Sequence, residues 1–370
     1  MHAVRSLRSR PFAIAAIVAW SCFCVARTFG GPLGDWIYFL AAARSLLGAG
    51  VPAVPGGPLH LYAEMPELQF GPPAIFLTMP FLALGARIGR LLAASTMMVA
   101  GLSCLLATWR ARSLLRLPDN WMLVTGALLF VPAWASVASG WMHLDDAVAL
   151  TCLAWAVPHV LRGRWWAVAG LLGLGAATKP WAVVLLPLLF ALPRPEWAKS
   201  WLLAVVLLAA IWAPFLIADP TTAAAIGHVR IPISADSSVR LLRLASEWSP
   251  EGLRPVQLTL CSLAALLAVT RGHWPAAALA ALAVRVGTDA QTFAYYGSGP
   301  VLAAFIWDGL SPRRLPVATA AVFAVEFALP VLAPDSVTAA VRLVATVVLI
   351  GFLALAKTDY RVASQLNASR

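Results

Sequence analysis

The feature that most constrains this chain is a succession of apolar runs, each close to the length that crosses a lipid bilayer. A transmembrane helix needs about 20 consecutive apolar residues, and the sequence offers about twelve such runs, some of them shorter. The mean hydropathy is +0.82 and 12% of the residues are charged, whereas about 25% are charged in soluble domains. The sequence therefore predicts an all-α, polytopic transmembrane helical bundle, formed by residues 1–370 as one domain, with spans at 11–29, 89–109, 121–140, 146–161, 165–178, 180–193, 199–218, 256–270, 274–288, 293–310, 316–333 and 337–356.

The basic residues predict the orientation of these spans, because Lys and Arg accumulate in cytoplasmic loops. The apolar segment 72–86 begins with two prolines, and counting it as a span would place Arg110, Arg112 and Arg116 outside. We treat it as a membrane-parallel or re-entrant helix of the first external loop. With both termini in the cytoplasm, the inner side then carries many more cations than acids. The inner acids are Asp119, Glu196, Asp308 and Asp359. The inner cations are Arg5, Arg8, Arg10, Arg110, Arg112, Arg116, Arg162, Arg164, Arg194, Lys199, Arg271, Arg313, Arg314, Lys357, Arg361 and Arg370.

Charge and cysteine usage exclude several other classes of protein. The net charge of +11 does not indicate nucleic-acid binding, because the basic residues punctuate apolar runs and do not cluster on a polar domain. The five cysteines lie within apolar segments, which favours packing over a disulfide framework or a metal site. The basic-then-apolar start has the form of a signal sequence, but no convincing cleavage site follows, so we expect a retained first span.

The long polar interruptions fall on the external side, at residues 30–71 and 219–255. Asp35 opens the first of them and stands directly before a predicted helix, where Asp is a favoured N-cap. A carboxylate at the membrane–water boundary can equally serve as a general base. Aromatic and charged side chains follow in the same loop. They are ordinary interface anchors or substrate contacts, and they include Tyr38, His60, Tyr62 and Glu64.

A second external cluster is His143, Asp145 and Asp146, at the start of a predicted span. Acids in the first turn suit a helix N-terminus, and the same cluster can bind a metal ion or sugar hydroxyls. As a metal motif its ligand set is incomplete, so we predict no metal site.

Further ionisable groups follow along the chain. Lys179 lies between two apolar halves, directly before Pro180, and a lysine at such depth is costly unless it is paired. A phosphate group would satisfy it, together with Arg230, Arg240 and Arg243 of the second external loop. Arg240 and Arg243 are spaced i, i+3, as on one helical face, although contact with lipid headgroups explains them equally well. At the outer ends of two later spans, Asp289, Tyr295 and Tyr296 are either anchors and packing residues or a platform for a sugar.

These pieces in this order resemble the integral-membrane glycosyltransferases of the GT-C superfamily, and in particular the polyprenol-phosphate-mannose-dependent mannosyltransferases of actinobacteria (the PimE-like group). The early signature of that group is an Asp, a Tyr three residues on, a small-residue helix, an "LY" and a "YPP". The corresponding residues here are Asp35, Tyr38, "AAARSLLGAG", "LHLY" and "FGPP". The resemblance continues through "GLGAATKPWAVVLLPLL" and covers roughly residues 10–215. Gly71 replaces the tyrosine of the family's "YPP", and the chain is shorter than many relatives.

The resemblance implies an inverting glycosyltransferase of the bacterial plasma membrane with its active site on the extracytoplasmic face. Asp35 is then the catalytic base, and Lys179 and the later arginines hold the phosphate of the donor. The implied partners are a polyprenol-phosphate-linked sugar, a glycolipid or glycan acceptor and the bilayer. No cofactor is required, and a divalent cation is optional.

Two other classes of function fit the span count. A polytopic transporter or lipid flippase explains Lys179, but it predicts internal repeats and a relay of ionisable groups at the bilayer midplane. The sequence shows neither repeats nor such a relay, and Glu326 is the one acid well inside a predicted span. The second alternative is a structural membrane subunit, which would not need the external cluster of acids and cations that the sequence predicts.

Overall fold

The computed structural model describes residues 11–29, 34–49, 54–118, 121–227, 230–245 and 247–356, and this part of the protein is built of helices. Extended pairing within these ranges is confined to one antiparallel bridge, between Pro232 and Trp248. Some residues used in the sequence-based predictions lie outside the described ranges: Arg5, Arg8, Arg10, Asp119, Lys357, Asp359, Arg361, Arg370 and the loop segments 30–33 and 50–53.

The described residues of the first half form eight α-helices followed by a long 3₁₀ helix. Helix α6 runs directly into a π-helical turn at Ser136–Gly140, and the 3₁₀ helix occupies Pro180–Ala191. The α-helices are α1 (Pro11–Thr28), α2 (Trp36–Leu46), α3 (Leu61–Glu64), α4 (Pro72–Ala83), α5 (Ala86–Leu114), α6 (Met122–Ala135), α7 (Leu144–Leu161) and α8 (Trp165–Thr178).

The second half continues as helices joined by a folded loop. A second π-helical turn, Ala324–Ala328, connects α15 to α16. These α-helices are α9 (Trp197–Ala218), α10 (Thr221–Gly227), α11 (Ser238–Leu241), α12 (Leu253–Thr270), α13 (Ala277–Thr288), α14 (Ser298–Gly309), α15 (Val317–Phe323), α16 (Leu329–Leu332) and α17 (Asp335–Leu355).

Six helical segments of the described chain are long and apolar enough to cross a membrane: Ala86–Leu114, Met122–Gly140, Leu144–Leu161, Arg194–Ala218, Leu253–Thr270 and Asp335–Leu355. Further apolar helices of 10–17 residues are Ala13–Thr28, Pro72–Ala83, Trp165–Thr178, Pro180–Ala191, Trp274–Thr288 and Val317–Leu332. The predicted all-helical membrane protein is thus confirmed in its coarse form. The count of about twelve spans stays a prediction.

The helices pack closely because small residues let neighbouring backbones and rings approach, as is usual between membrane helices. Gly101 of α5 faces Trp134 of α6, and a Cβ atom at Gly101 would lie 2.3 Å from the indole ring. The same indole donates from Nε1 to the carbonyl oxygen of Met97 at 2.8 Å. A single glycine therefore admits the largest side chain of α6 and lets it satisfy its polar atom inside the core.

Helix α4 is the segment that we predicted to lie along the membrane or to re-enter it. Both termini of α4 lie on the side of the bundle that carries Asp35. At the N-terminus of α4, the backbone N–H of Gly71 donates to the carbonyl oxygen of Thr178 at the end of α8, at 2.7 Å. Near its C-terminus, the ring of Phe81 lies 6.1 Å from that of Trp36. A Cβ atom at Gly71 would lie 1.7 Å from the carbonyl oxygen of Ala177. A glycine at position 71 is therefore required by the close approach of α4 to α8.

The opposite end of the bundle is joined by Arg112, near the end of α5. Its buried guanidinium donates to the carbonyl oxygen of Pro118 at 3.1 and 2.7 Å, and to those of Gly309 and Ser311 at 3.0 Å each. The side chain therefore ties the first half of the chain to the C-terminal end of α14.

We expect Arg112→Gln to destabilise the protein by about 2–5 kcal/mol, because several buried carbonyl groups would lose a charged donor. Thermal unfolding of the purified protein in detergent measures the change. Arg116→Gln is the matched control, since Arg116 is exposed in the turn that follows the same helix. Equal unfolding temperatures for Arg112→Gln and the control would contradict this role.

Candidate functional site

Asp35 is placed by two chain segments that approach each other at the N-terminal ends of α2 and α7. Its backbone N donates to the carbonyl oxygen of Trp141 at 3.1 Å. Asp35 occupies the N-cap position of α2, but its carboxylate makes no capping hydrogen bond. Instead, Oδ2 lies 2.8 Å from Nε2 of His143, and the Asp35 side chain is 38% exposed. The carboxylate therefore contacts a buried imidazole on one side and remains accessible on the other.

His143 is enclosed between an aromatic ring and three carboxylates. Its ring stacks on Tyr295 with 3.7 Å between centroids and an interplanar angle of 23°. Its Nδ1 lies 3.5 Å from Asp145 Oδ1 and 3.4 Å from Asp146 Oδ2. These are charge contacts, because neither ring nitrogen is aligned for a hydrogen bond. Burial by itself lowers the pKa of His143, but the carboxylates of Asp145, Asp35 and Asp146 outweigh it and raise the pKa to about 9.

Asp145 and Asp146 connect His143 to the break between α8 and the 3₁₀ helix. The Lys179 ammonium donates to Asp145 Oδ2 and lies 3.8 Å from Asp146 Oδ2. Pro180 explains this position, because a proline disfavours the α conformation of the residue before it, and Lys179 is extended at φ −134° and ψ 110°. Trp181, one residue further, donates from Nε1 to Asp146 Oδ1 at 2.7 Å. The helix break thus supplies both partners of the buried acids.

Arg285 of α13 adds a second buried cation. Its guanidinium lies over the ring of Trp181 at 4.7 Å and over that of Tyr296 at 4.5 Å. Cation–π contacts of this kind hold a desolvated guanidinium in place while leaving its N–H groups available for an anion.

These cations face a cavity of about 340 Å³. Lys179, Arg254 and Arg285 contribute to its wall, and Arg254 also donates to Gln69 Oε1 at 2.6 Å. Asp35 is not among the residues that line the cavity, and it is connected to the lining residue Tyr296 through contacts with His143 and Tyr295. The complete lining comprises Pro66, Leu68, Gln69, Lys179, Pro180, Trp181, Arg254, Pro255, Gln257, Leu258, Arg285, Asp289 and Tyr296.

An apolar groove of about 600 Å³ adjoins this cavity, and Leu258 belongs to both. The groove lies between the 3₁₀ helix, α9 and α12 and is lined by Pro187, Phe190, Trp201, Leu258, Thr259, Ser262, Leu263 and Leu266. A cationic cavity therefore continues along α12 into an apolar groove between helices.

The structure brings together seven of the residues that the sequence singled out, and it separates the others. Asp35, His143, Asp145, Asp146 and Lys179 form one contact chain, to which Tyr295 and Tyr296 are joined through the aromatic stack. Asp289 lines the adjacent cavity. The side chains outside this group are Tyr38, His60, Tyr62, Glu64, Arg230, Arg240 and Arg243.

Those separated residues have other surroundings. His60 Nδ1 lies 2.9 Å from Asp219 Oδ2, and the ring of Tyr62 packs on Trp212 at 4.8 Å between centroids. Tyr38, Glu64, Arg230, Arg240 and Arg243 are exposed.

The helical spacing that we predicted for two arginines is wrong. Helix α11 ends at Leu241, and Arg243 follows it with φ 55°. Arg240 and Arg243 therefore do not share a helical face.

Sequence reasoning left Arg254, Gln69 and Trp181 out of the site. Trp181 carried a signal, since it directly follows Lys179-Pro180, and a tryptophan at a helix break near a buried charge can donate a hydrogen bond. No feature of the sequence pointed to Arg254 or Gln69. They are 185 residues apart, and only tertiary packing shows that both face the cavity.

A cation could also be bound here by donor atoms of His143, Asp145 and Asp146, which lie within 4.8 Å of one another. The Lys179 ammonium contacts the same carboxylates. A divalent ion would therefore compete with an ammonium group that already balances them.

No family model, no curated protein and no solved structure matches this chain.

The raised pKa of His143 predicts a pH-dependent contribution to stability. The protonated imidazole is favoured in the folded state, so its contribution is complete below about pH 6.5 and is lost as the pH rises through about 9. The full effect is of order 3 kcal/mol. We expect the unfolding temperature of the wild type to fall relative to that of His143→Gln as the pH rises over this range. Both proteins are measured in detergent at constant ionic strength. A constant difference between the two proteins would contradict a charged His143.

Proposed function

We propose that the protein transfers a sugar from a polyprenol-phosphate donor to an acceptor hydroxyl, as an inverting glycosyltransferase. One observation carries the proposal. An accessible carboxylate, Asp35, lies at the end of a contact chain that leads to a cavity with three cations, and this cavity continues into an apolar groove.

The cavity fits the phosphate of such a donor. A phosphodiester carries negative charge and acceptor oxygens, and Arg guanidinium groups match its geometry. Arg285 and Arg254 are the better ligands, because Lys179 already balances Asp145 and Asp146. The sequence-based role of Lys179 is thereby refined: its ammonium group balances the charge of the two acids and adds positive potential at the cavity wall.

The adjoining groove fits the isoprenoid chain. Its lining is apolar except for Thr259 and Ser262, and the hydroxyl groups of both donate to carbonyl oxygens of their own helix. An isoprenoid chain bound in this groove would place the phosphate of the donor at Leu258, where the groove meets the cationic cavity. The donor can then enter from the bilayer, and the transferred sugar extends toward the His143–Tyr295 stack and Asp35.

The chemistry requires a base on the acceptor side and cations on the donor side. Asp35 accepts the proton of the acceptor hydroxyl as its oxygen bonds to the anomeric carbon. The bond from that carbon to the phosphate oxygen breaks, and the electron pair leaves with the phosphate. Fixed cations stabilise this growing charge more strongly in the transition state than in the ground state. Direct displacement inverts the anomeric centre, so no second carboxylate is needed as a nucleophile.

His143 acts as a positioning residue for this base. Its Nε2 contacts Asp35 Oδ2, and its own orientation is fixed by Tyr295 on one face and by Asp145 and Asp146 at Nδ1. The second oxygen of Asp35 remains for the acceptor. The sugar is mannose, and the site faces the extracytoplasmic side, on the strength of the GT-C resemblance and of the basic residues at the opposite end.

The transporter alternative predicts ionisable groups near the middle of the membrane helices. The series of contacting side chains that runs from Asp35 to Arg285 instead lies at the ends of α7, α8 and α13 and at the start of α2. This position favours chemistry at the interface.

We expect Asp35→Asn to reduce transfer by about 10²–10⁴-fold, the usual contribution of a general base. Membranes that carry the protein are incubated with labelled polyprenol-phosphate mannose and an endogenous acceptor extract. Asp219→Asn is the matched control, since Asp219 is an acid near the same end that contacts His60. Asp289→Asn tests the rival base in the cavity. Wild-type turnover by Asp35→Asn, or a larger loss in Asp289→Asn, would overturn the assignment.

We expect Arg254→Gln to lower kcat/KM for the donor by about tenfold or more, because one charge-assisted contact to the phosphate is lost. The dependence on acceptor concentration should change much less. Arg240→Gln and Arg243→Gln are controls on the exposed loop, and they should leave donor use unchanged. The reverse pattern would move the phosphate site to that loop.

A further inference from the structure

A buried ion cluster outside the candidate site is centred on Arg342 of α17. Its guanidinium donates from Nε to Glu326 Oε2 at 3.1 Å and from Nη1 to Asp236 Oδ2 at 2.7 Å. The Arg342 side chain is 5% exposed. Glu326 belongs to the π-helical turn Ala324–Ala328, and Asp236 lies in the loop before α11. One guanidinium therefore joins three parts of the chain that are distant in sequence.

The loop before α11 is bonded to the connection between α13 and α14, residues 289–297. Ser237 donates from Oγ to the carbonyl oxygen of Asp289 at 2.7 Å. Thr292 donates from Oγ1 to Asp236, the same carboxylate that accepts from the guanidinium. The position of this connection is therefore coupled to that of the loop.

The π-helical turn also packs on the α13–α14 connection. The connection ends in a 3₁₀ turn, Ala294–Gly297, which contacts Ala324–Ala328. A Cβ atom at Gly297 would lie 2.7 Å from the Cβ atom of Glu326, so the two segments approach closely. Arg342 thus holds two of the elements that fix the connection, one through each carboxylate.

The α13–α14 connection carries three side chains of the candidate site. Tyr295 stacks on His143, the residue that positions the proposed base. Tyr296 lies under the guanidinium of Arg285, and Asp289 lines the cavity. A small shift of the connection would displace all three, and a misplacement of about 1 Å by a distant change can lower a rate about 100-fold.

Stability by itself does not account for such a cluster. Desolvation offsets much of the attraction in a buried ion pair, so apolar side chains of similar size often stabilise a protein as well. Ionisable groups within membrane helices indicate function for the same reason. A planar guanidinium additionally fixes the directions of two carboxylates at once, which a lysine ammonium does not reproduce.

We propose that Arg342 is a positioning residue of the candidate site. It holds the loop before α11 and the π-helical turn, and these fix the α13–α14 connection with its three site residues. The effect on turnover rests on the proposed glycosyl transfer, whereas the effect on the connection does not.

Arg342→Lys tests the proposal in the transfer assay, because it retains the charge and loses the forked geometry. We expect the KM for the polyprenol-phosphate donor to rise about threefold to thirtyfold. Loss of folded protein would instead lower the maximal rate and leave KM unchanged. Arg271→Lys is the matched control, since Arg271 is exposed at the end of α12. A wild-type KM in Arg342→Lys overturns the proposal.

Hydrogen–deuterium exchange of the full-length protein in detergent measures the connection without substrate. In Arg342→Lys we expect exchange to become about twofold faster or more in peptides covering 234–238 and 289–297, and to stay unchanged in α9. Unchanged exchange in both peptides, or equally faster exchange throughout the protein, overturns the proposal. If wild type transfers no sugar, the proposed function fails and this measurement still decides the role of Arg342.

A measurement on wild type covers the case in which Arg342→Lys folds poorly. The backbone N–H of Ser234 donates to the carbonyl oxygen of Ala290 at 2.8 Å, and that of Thr292 donates to Ser234 Oγ at 3.2 Å. We expect both amides to exchange as slowly as those inside α14, because the ion cluster keeps the two segments together. Exchange of both amides at the rate of an exposed loop overturns the proposal.

Discussion

The structure depends on the neutralisation of buried charge where α7 and α8 meet. A lysine inside a membrane protein is costly unless it is paired, and Lys179 is paired with Asp145 and lies near Asp146. Breaking such a pair leaves an uncompensated buried charge. The same acids contact His143, and His143 contacts Asp35. One electrostatic requirement therefore fixes the end of α8, the start of α7 and the loop before α2 together.

Close backbone approach complements this charge network. Gly71 allows the start of α4 to bond to Thr178, one residue before Lys179. The start of α4 is thereby held against the helix break that supplies the lysine. A larger residue at position 71 would meet the backbone of α8, so glycine at this position is a packing requirement of the fold.

The sequence by itself determined the helical membrane class, because apolar runs near the length of a bilayer leave the backbone few other ways to satisfy its polar groups. It also indicated Asp35, His143, Asp145 and Lys179, since charged residues are conspicuous in so apolar a chain. Only the tertiary structure decided which cations face the cavity. Arg254 and Arg285 do, whereas Arg240 and Arg243 are exposed. The reason is physical: spacing along a chain reports contacts within one helix, and contacts between distant helices follow from packing that local pattern does not encode.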